Sequence, residues 1–356
     1  MSVERYLVWA AFCVAAMCPL AGAMGADFPA PAPIEEKAVA ARRAIHSGEL
    51  EIKVERWDTR GERRKEYDEE LTIVFDGERF RIERRQLLPL LGKSADGQAA
   101  KRVYVATDSD LFYYSNVVAA DGTPRMAQVG RRESMGSYAG DIVDPRRIGM
   151  VPDPFTSLHA LGIDTVLTRP DRRRSSTQPE VVDGEKLERI EYERNDGCLL
   201  RVWISPEKNC GVVRMEIEAR VEGSTLLDSV ENKLRSYGND AVWFPETATV
   251  RRRENGALLY EDVTTIRRAA FNQPIDPGLF AMTGLGMPLG HHVFDVTRAF
   301  HGTWDGETVV GYSKPTDGVP LEVRPRIGWV LVSVASGVLA LIVVWIRARR
   351  VTNRSR

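Results

Sequence analysis

Apolar residues fall on every second position through most of this chain. Leu50, Ile52 and Val54 alternate with charged neighbours, Leu71, Ile73 and Phe75 do so again ahead of Asp76-Gly77, and Phe80 and Ile82 follow. A period of two marks strands with one buried and one wet face. Ahead of them Ile34, Ala38, Ala41 and Ile45 recur at helical spacing with Gly48 as a stop, so the domain is expected to open with an amphipathic helix.

The second half carries the strand pattern more clearly. Strands are predicted over about residues 186–193, 198–204, 211–221, 226–236, 246–253 and 257–271. The breaks between them, including Asn195-Asp196-Gly197, Ser205-Pro206 and Asn255-Gly256, combine tolerance of positive φ with the fixed φ of proline. Val213, Met215, Ile217, Ala219 and Val221 are expected on one face, and Arg214, Glu216, Glu218 and Arg220 on the other. The result is a long antiparallel sheet with one apolar face. From about 124 to 180 Pro, Gly and Arg break the pattern, which predicts loops and one short helix in FTSLHALGI.

Both chain ends have a different character. Ile327 to Ile346 is apolar and uncharged, long enough at about 1.5 Å per helical residue to cross a hydrocarbon core of about 30 Å. Arg347, Arg349, Arg350, Arg354 and Arg356 follow it, whereas only Arg324 and Arg326 precede it, so residues 347–356 are expected in the cytoplasm and the rest outside. At the other end Arg5 precedes an apolar run closed by Ala21-Gly22-Ala23, the pattern of a signal peptide over residues 1–23. Phe12 and Met17 stand before Cys13 and Cys18, where lipidation wants a small residue. The expected organisation is therefore an extracytoplasmic domain over 24–295, a linker over 296–326 with at most a small hairpin around ETVVGYSK, and a transmembrane helix over 327–346. A flexible linker of that length averages near 30 Å, which holds the domain close to the membrane.

Charge adds little to this picture. With 49 basic and 50 acidic residues the formal net charge is −1, without the basic excess that binding nucleic acid requires. Cys198 and Cys210 remain after the leader. A hairpin about Ser205–Asn209 would set Cys210 opposite residue 205 and Cys198 opposite residue 217, too far apart for a disulfide. The sequon Asn353-Arg354-Ser355 falls on the cytoplasmic tail, which fits a bacterial envelope protein.

The order of helix, antiparallel meander, irregular insert and second meander resembles the periplasmic lipoprotein carriers of the LolA/LolB kind. The residues that carry the resemblance are AIHSGELEIKV, FDGERFRIE, LRVWISPEKNCGVVRMEI, DAVWFPETATV and FNQPIDPGLF, within roughly 34 to 295. It implies an α+β, mainly antiparallel fold: a curved half-barrel sheet with an N-terminal helix and short covering helices, here joined to one C-terminal transmembrane helix. It also implies a cavity for lipid or lipoprotein acyl chains, with Leu71, Ile73, Phe75, Phe80, Ile82, Val202, Ile204, Val213, Met215 and Ile217 as candidate lining. The same positions read equally well as a filled core. A soluble carrier is shorter than this chain and has no membrane span.

No constellation for catalysis is found, and no cofactor is expected. Leu91-Gly92-Lys93-Ser94 lacks the first glycine of a phosphate loop, because position 87 is Leu87. Ser137 directly follows its glycine and so makes no nucleophile elbow. His291, His292, Asp295 and His301 have ligand chemistry but read as strand and turn histidines. The function expected is a non-enzymatic, single-pass inner-membrane protein whose periplasmic domain binds lipid. The rival is an envelope sensor or scaffold that binds a protein partner, with small-residue faces at Ser333/Gly337 and Ser336/Ala340 for helix association.

Overall fold

The structure, a computed structural model, describes residues 33–87, 99–118, 125–135, 143–151, 172–194, 197–221, 223–238 and 241–313. The leader, FTSLHALGI, the 327–346 segment and the basic tail lie outside these residues. Among the described residues no helix is long and apolar enough to cross a membrane.

Helix α1 spans Pro33–Arg43, with Glu35 and Glu36 in its first turn and Arg42 and Arg43 in its last, each sign matched to the helix dipole. A first meander follows: β1 Ser47–Asp58, β2 Arg64–Asp76, β3 Arg79–Gln86, β4 Ala100–Ala106, β5 Asp110–Ser115 and β6 Ala127–Arg131. The second comprises β7 Arg172–Val182, β8 Glu185–Arg194, β9 Leu199–Ser205, β10 Gly211–Val221, β11 Ser224–Tyr237, β12 Val242–Glu254 and β13 Ala257–Phe271. Short strands β14 His292–Asp295, β15 Phe300–Trp304 and β16 Val309–Ser313 close the described chain. The β12–β13 hairpin turns on Asn255-Gly256 with φ of 50° and 83°, the pair of positive values that a two-residue turn of matching twist needs.

The sixteen strands of the described residues form one open, curved sheet in the order β16-β15-β14-β6-β5-β4-β3-β2-β1-β13-β12-β11-β10-β9-β8-β7. The two meanders meet where β1 pairs with β13, Ile52 lying between Leu71 on β2 and Ile266 on β13. The pairs are antiparallel except β14 with β6, which run parallel from Val293 beside Ala127. Among the described residues one N-terminal helix and two antiparallel meanders share one curved sheet, the α+β, mainly antiparallel layout expected from the sequence.

Two boundaries differ from the sequence reading. The 124–180 stretch contributes a strand at each end, β6 and β7, and β7 keeps Pro179 because it lies at the sheet edge, where a missing N–H breaks no ladder. The sheet also extends past residue 295: β15 and β16 occupy the first half of the expected linker and form a larger hairpin than ETVVGYSK alone.

The core has three parts. On the inner face of β1–β5, Leu50, Ile52, Leu71, Ile73, Phe75, Phe80, Ile82, Tyr104 and Leu111 pack with Phe244, Ile266 and Phe271, beneath Ile45, Val143 and Ile148. The inner face continues over β8–β12 as Ile190, Leu200, Val202, Ile204, Val212, Met215, Val230 and Val250, covered by Ile34, Ala38 and Val39 of α1 and by Met150. The outer face of β2–β6 is apolar as well: Val74, Val103, Val105, Ala127 and Val129 lie under Phe280, Leu285, Met287 and Trp304. Alternate residues of β4 therefore enter cores on both sides, which is why its sequence, AKRVYVA, lacks a clean polar face.

Candidate functional site

Alternation along β2 and β3 puts Leu71, Ile73, Phe75, Phe80 and Ile82 on the inner face, each at most 2% exposed. Val202, Ile204 and Met215 occupy the same face of β9 and β10 and are likewise buried, with Ile217 partly buried at their margin. Nine of the ten candidate positions therefore face inward, five in the core of β1–β5 and four in or beside the separate core of β8–β12, packed against α1 and the 143–151 segment.

Val213 is the exception. The β9–β10 register shifts between Val212 and Arg214, so a bulge puts Val212 inward beside Met215 and leaves Val213 only partly buried. Strict alternation from Met215 would have selected Val213. The same bulge, added to the short 3₁₀ turn Pro206–Lys208, brings Leu199 opposite Glu218. Cys198 and Cys210 form no disulfide, and burial raises the thiol pKa of Cys210.

The inner face changes chemistry along the strands. Beyond Val54, Val230 and Val250, the same alternation leads to Arg56, Asp228 and Arg252, with Asp262 and Tyr260 on β13 beside them. Arg56 donates to both oxygens of Asp262 at 2.7 and 2.6 Å, and Arg252 to both oxygens of Asp228 at 2.6 and 2.7 Å. Each guanidinium also lies 5.1 Å from the Tyr260 ring centre, where cation–π attraction adds to the ion pairs. Burial raises the Tyr260 pKa.

A different polar group lies at the opposite, α1 end. Arg42 is 3% exposed, and its guanidinium carbon stands 4.7 Å over the Phe244 ring. Among the described residues neither terminal nitrogen has a hydrogen-bond partner. The sequence reading placed Ala41 on the buried stripe of α1, whereas the inward set is Ile34, Glu35, Ala38, Val39, Arg42 and Ile45. The signal was spacing: Arg42 is four residues after Ala38 and three after Val39.

The 143–151 segment is held at defined points. Asp144 caps the 3₁₀ turn Pro145–Arg147, accepting from the Arg146 backbone N–H at 3.0 Å and from its Nε at 2.8 Å. Asn232 on β11 donates Nδ2 to the carbonyls of Gly149 and Val212.

The histidines of the 291–301 stretch stand apart from the inner face. The His291 ring contacts Tyr114 edge-on with Nε2 3.1 Å from the Arg125 carbonyl, and His301 lies against Phe294. Asp295 accepts from the Arg298 backbone N–H at 3.0 Å. Among the described residues no three His, Cys, Asp or Glu side chains converge in a way that could hold a metal ion.

No family model matches the sequence, and no curated protein is significantly similar to it. Among solved structures the chain is similar to a domain described as an outer membrane lipoprotein-sorting protein from Vibrio parahaemolyticus, with 13% identity, 71% of this chain and 100% of that chain covered, and a TM-score of 0.42. A DUF1329 family protein from Desulfovibrio piger gives 13% identity, 71% and 97% coverage and a TM-score of 0.42. A LolA superfamily protein from Nitrosomonas europaea gives 12% identity, 70% and 96% coverage and a TM-score of 0.39. These likenesses concern the course of the chain alone.

Proposed function

We propose that this chain is a non-enzymatic module that binds a hydrophobic ligand, a lipid or lipoprotein acyl chain, on the inner face of its sheet. The 327–346 segment would tether it to the bacterial inner membrane, with the domain in the periplasm and the basic tail in the cytoplasm. The observation that supports this reading is the mismatch between the apolar face and its cover. Sixteen strands at about 4.8 Å spacing span some 70 Å, whereas an 11-residue helix is about 16 Å long. Among the described residues, the cover over the inner face is short: α1 and Ile45, the 143–151 segment, Met135 and Val296. A cover of that size can lift as a unit and leave room for a chain that gains about 0.8 kcal/mol per buried methylene.

Mass spectrometry of the protein purified from membranes in mild detergent should find bound lipid. A protein that is always empty and takes up no fluorescent fatty acid would sink this reading.

A protein partner is the second reading, and the open sheet favours it. Strand β7 is an edge, and its Val181 is 67% exposed, an arrangement to which a partner strand can add. In-membrane crosslinking from position 181 that captures one dominant protein, with no lipid recovered, would replace the first reading with this one.

A further inference from the structure

Arg42 is out of balance with its surroundings. A buried guanidinium keeps its charge cheaply only when carboxylates or carbonyls take up its five N–H groups. Here Nη1 and Nη2 meet no acceptor among the described residues. Asp144 is the carboxylate whose field reaches Arg42, but it is engaged with the backbone and Nε of Arg146. Burial accordingly lowers the Arg42 pKa to about 10.

The aromatic residues around it extend the pattern. Phe244 lies under the guanidinium, Phe271 stands 5.0 Å from Phe244, and Tyr237 meets Phe271 edge-on at 5.8 Å. The buried Tyr237 hydroxyl also has no partner among the described residues. The Phe244 ring under Arg42 belongs to an aromatic wall continuous with Phe75 and Ile266.

We propose that Arg42 receives the anionic head of an amphiphile, a carboxylate or phosphate, whose hydrocarbon chain runs along the inner apolar face. This deepens the lipid-binding reading and rests on it. An anion supplies the acceptors that the fold omits, and the guanidinium fork fits two oxygens of one head group. The aromatic floor excludes water, so the charge-assisted bonds form in a low-dielectric setting.

Equilibrium dialysis of the full-length protein in a neutral, sugar-headed detergent, with tritiated oleate and tritiated oleyl alcohol, compares one chain with and without the charge. Oleate should bind about tenfold more tightly or better, the worth of a charge-assisted hydrogen bond. Arg42→Met should remove that preference while leaving oleyl alcohol binding unchanged, and Arg42→Lys should keep part of it. Arg42→Met should also melt at or above the wild-type temperature, because it deletes an unpaired buried charge. Dialysis against inorganic phosphate separates a free anion from a head group: phosphate binding that equals oleate binding would overturn the amphiphile. Equal affinity for oleate and oleyl alcohol, an oleate preference that survives Arg42→Met, or a large loss of stability in that variant would each overturn the proposal and leave lipid binding standing. If neither lipid binds, the lipid-binding reading itself fails, and this inference with it.

Discussion

Asn232 holds Gly149 against the sheet: its Nδ2 donates to the Gly149 carbonyl at 2.7 Å, and the same nitrogen reaches the Val212 carbonyl at 2.9 Å. One buried amide thus ties the segment over the inner face to β10 and β11. Gly149 has φ of +77°, and a Cβ there would meet Asn232 Oδ1 at 2.4 Å. Asn232→Ala leaves two carbonyls unsatisfied and should cost about 1–3 kcal/mol in urea unfolding. Gly149→Ala should cost a similar amount through positive φ and the clash. Because the clash is with the amide itself, the double variant should lose less than the sum, and strict additivity would refute the contact.

Glu69 and Arg84 form a buried ion pair, their side chains 4% and 10% exposed, with Arg84 Nη2 2.8 Å from Glu69 Oε2 and the Tyr67 hydroxyl bonded to the same carboxylate. Arg84→Met strands a buried carboxylate and should destabilise by about 3–5 kcal/mol. Replacing both, as Glu69→Gln with Arg84→Met, should recover much of that loss in the same unfolding assay.

Tyr67 and Tyr260 both have a pKa raised above the usual 10, burial being the largest cause in each. Above pH 10 the unfolded chain releases phenolic protons that the folded chain retains, so the folded state binds more protons and stability must fall as pH rises. The loss begins near pH 10 and continues toward the raised folded pKa, at no more than about 1.4 kcal/mol per pH unit per group. In denaturant titrations between pH 8 and 11, Tyr260→Phe should flatten the fall relative to wild type. An identical slope would show that Tyr260 titrates normally.

The hairpin of β15 and β16 is hydrogen-bonded into the sheet through β14, with Trp304 3% exposed beneath it. Limited proteolysis of the membrane-bound protein should therefore yield a fragment that keeps Ser313. Cleavage between 295 and 309 in the folded protein would show that the hairpin is not docked.

Local chemistry alone determined most of the strands. Period-two alternation and turn residues such as Asn255-Gly256 act over a few residues, so the strand over 257–271 and the 211–221 strand match β13 and β10 at both ends. The inner-face residues of β2 and β3 were legible for the same reason. Long-range pairing decided the rest. Whether Val212 or Val213 turns inward depends on a bulge set by the register with β9. That β1 joins β13 follows from closing a sheet between residues some two hundred positions apart, and the parallel seat of β14 beside β6 follows from packing Phe280 and Trp304 on the outer face. Arg42 is the sharpest case. Its sequence shows a charged residue near a helix end, where the dipole explains it, whereas only the packed structure shows it buried over Phe244 with no acceptor among the described residues. Burial is a property of what lies across the interface, and no local pattern encodes it.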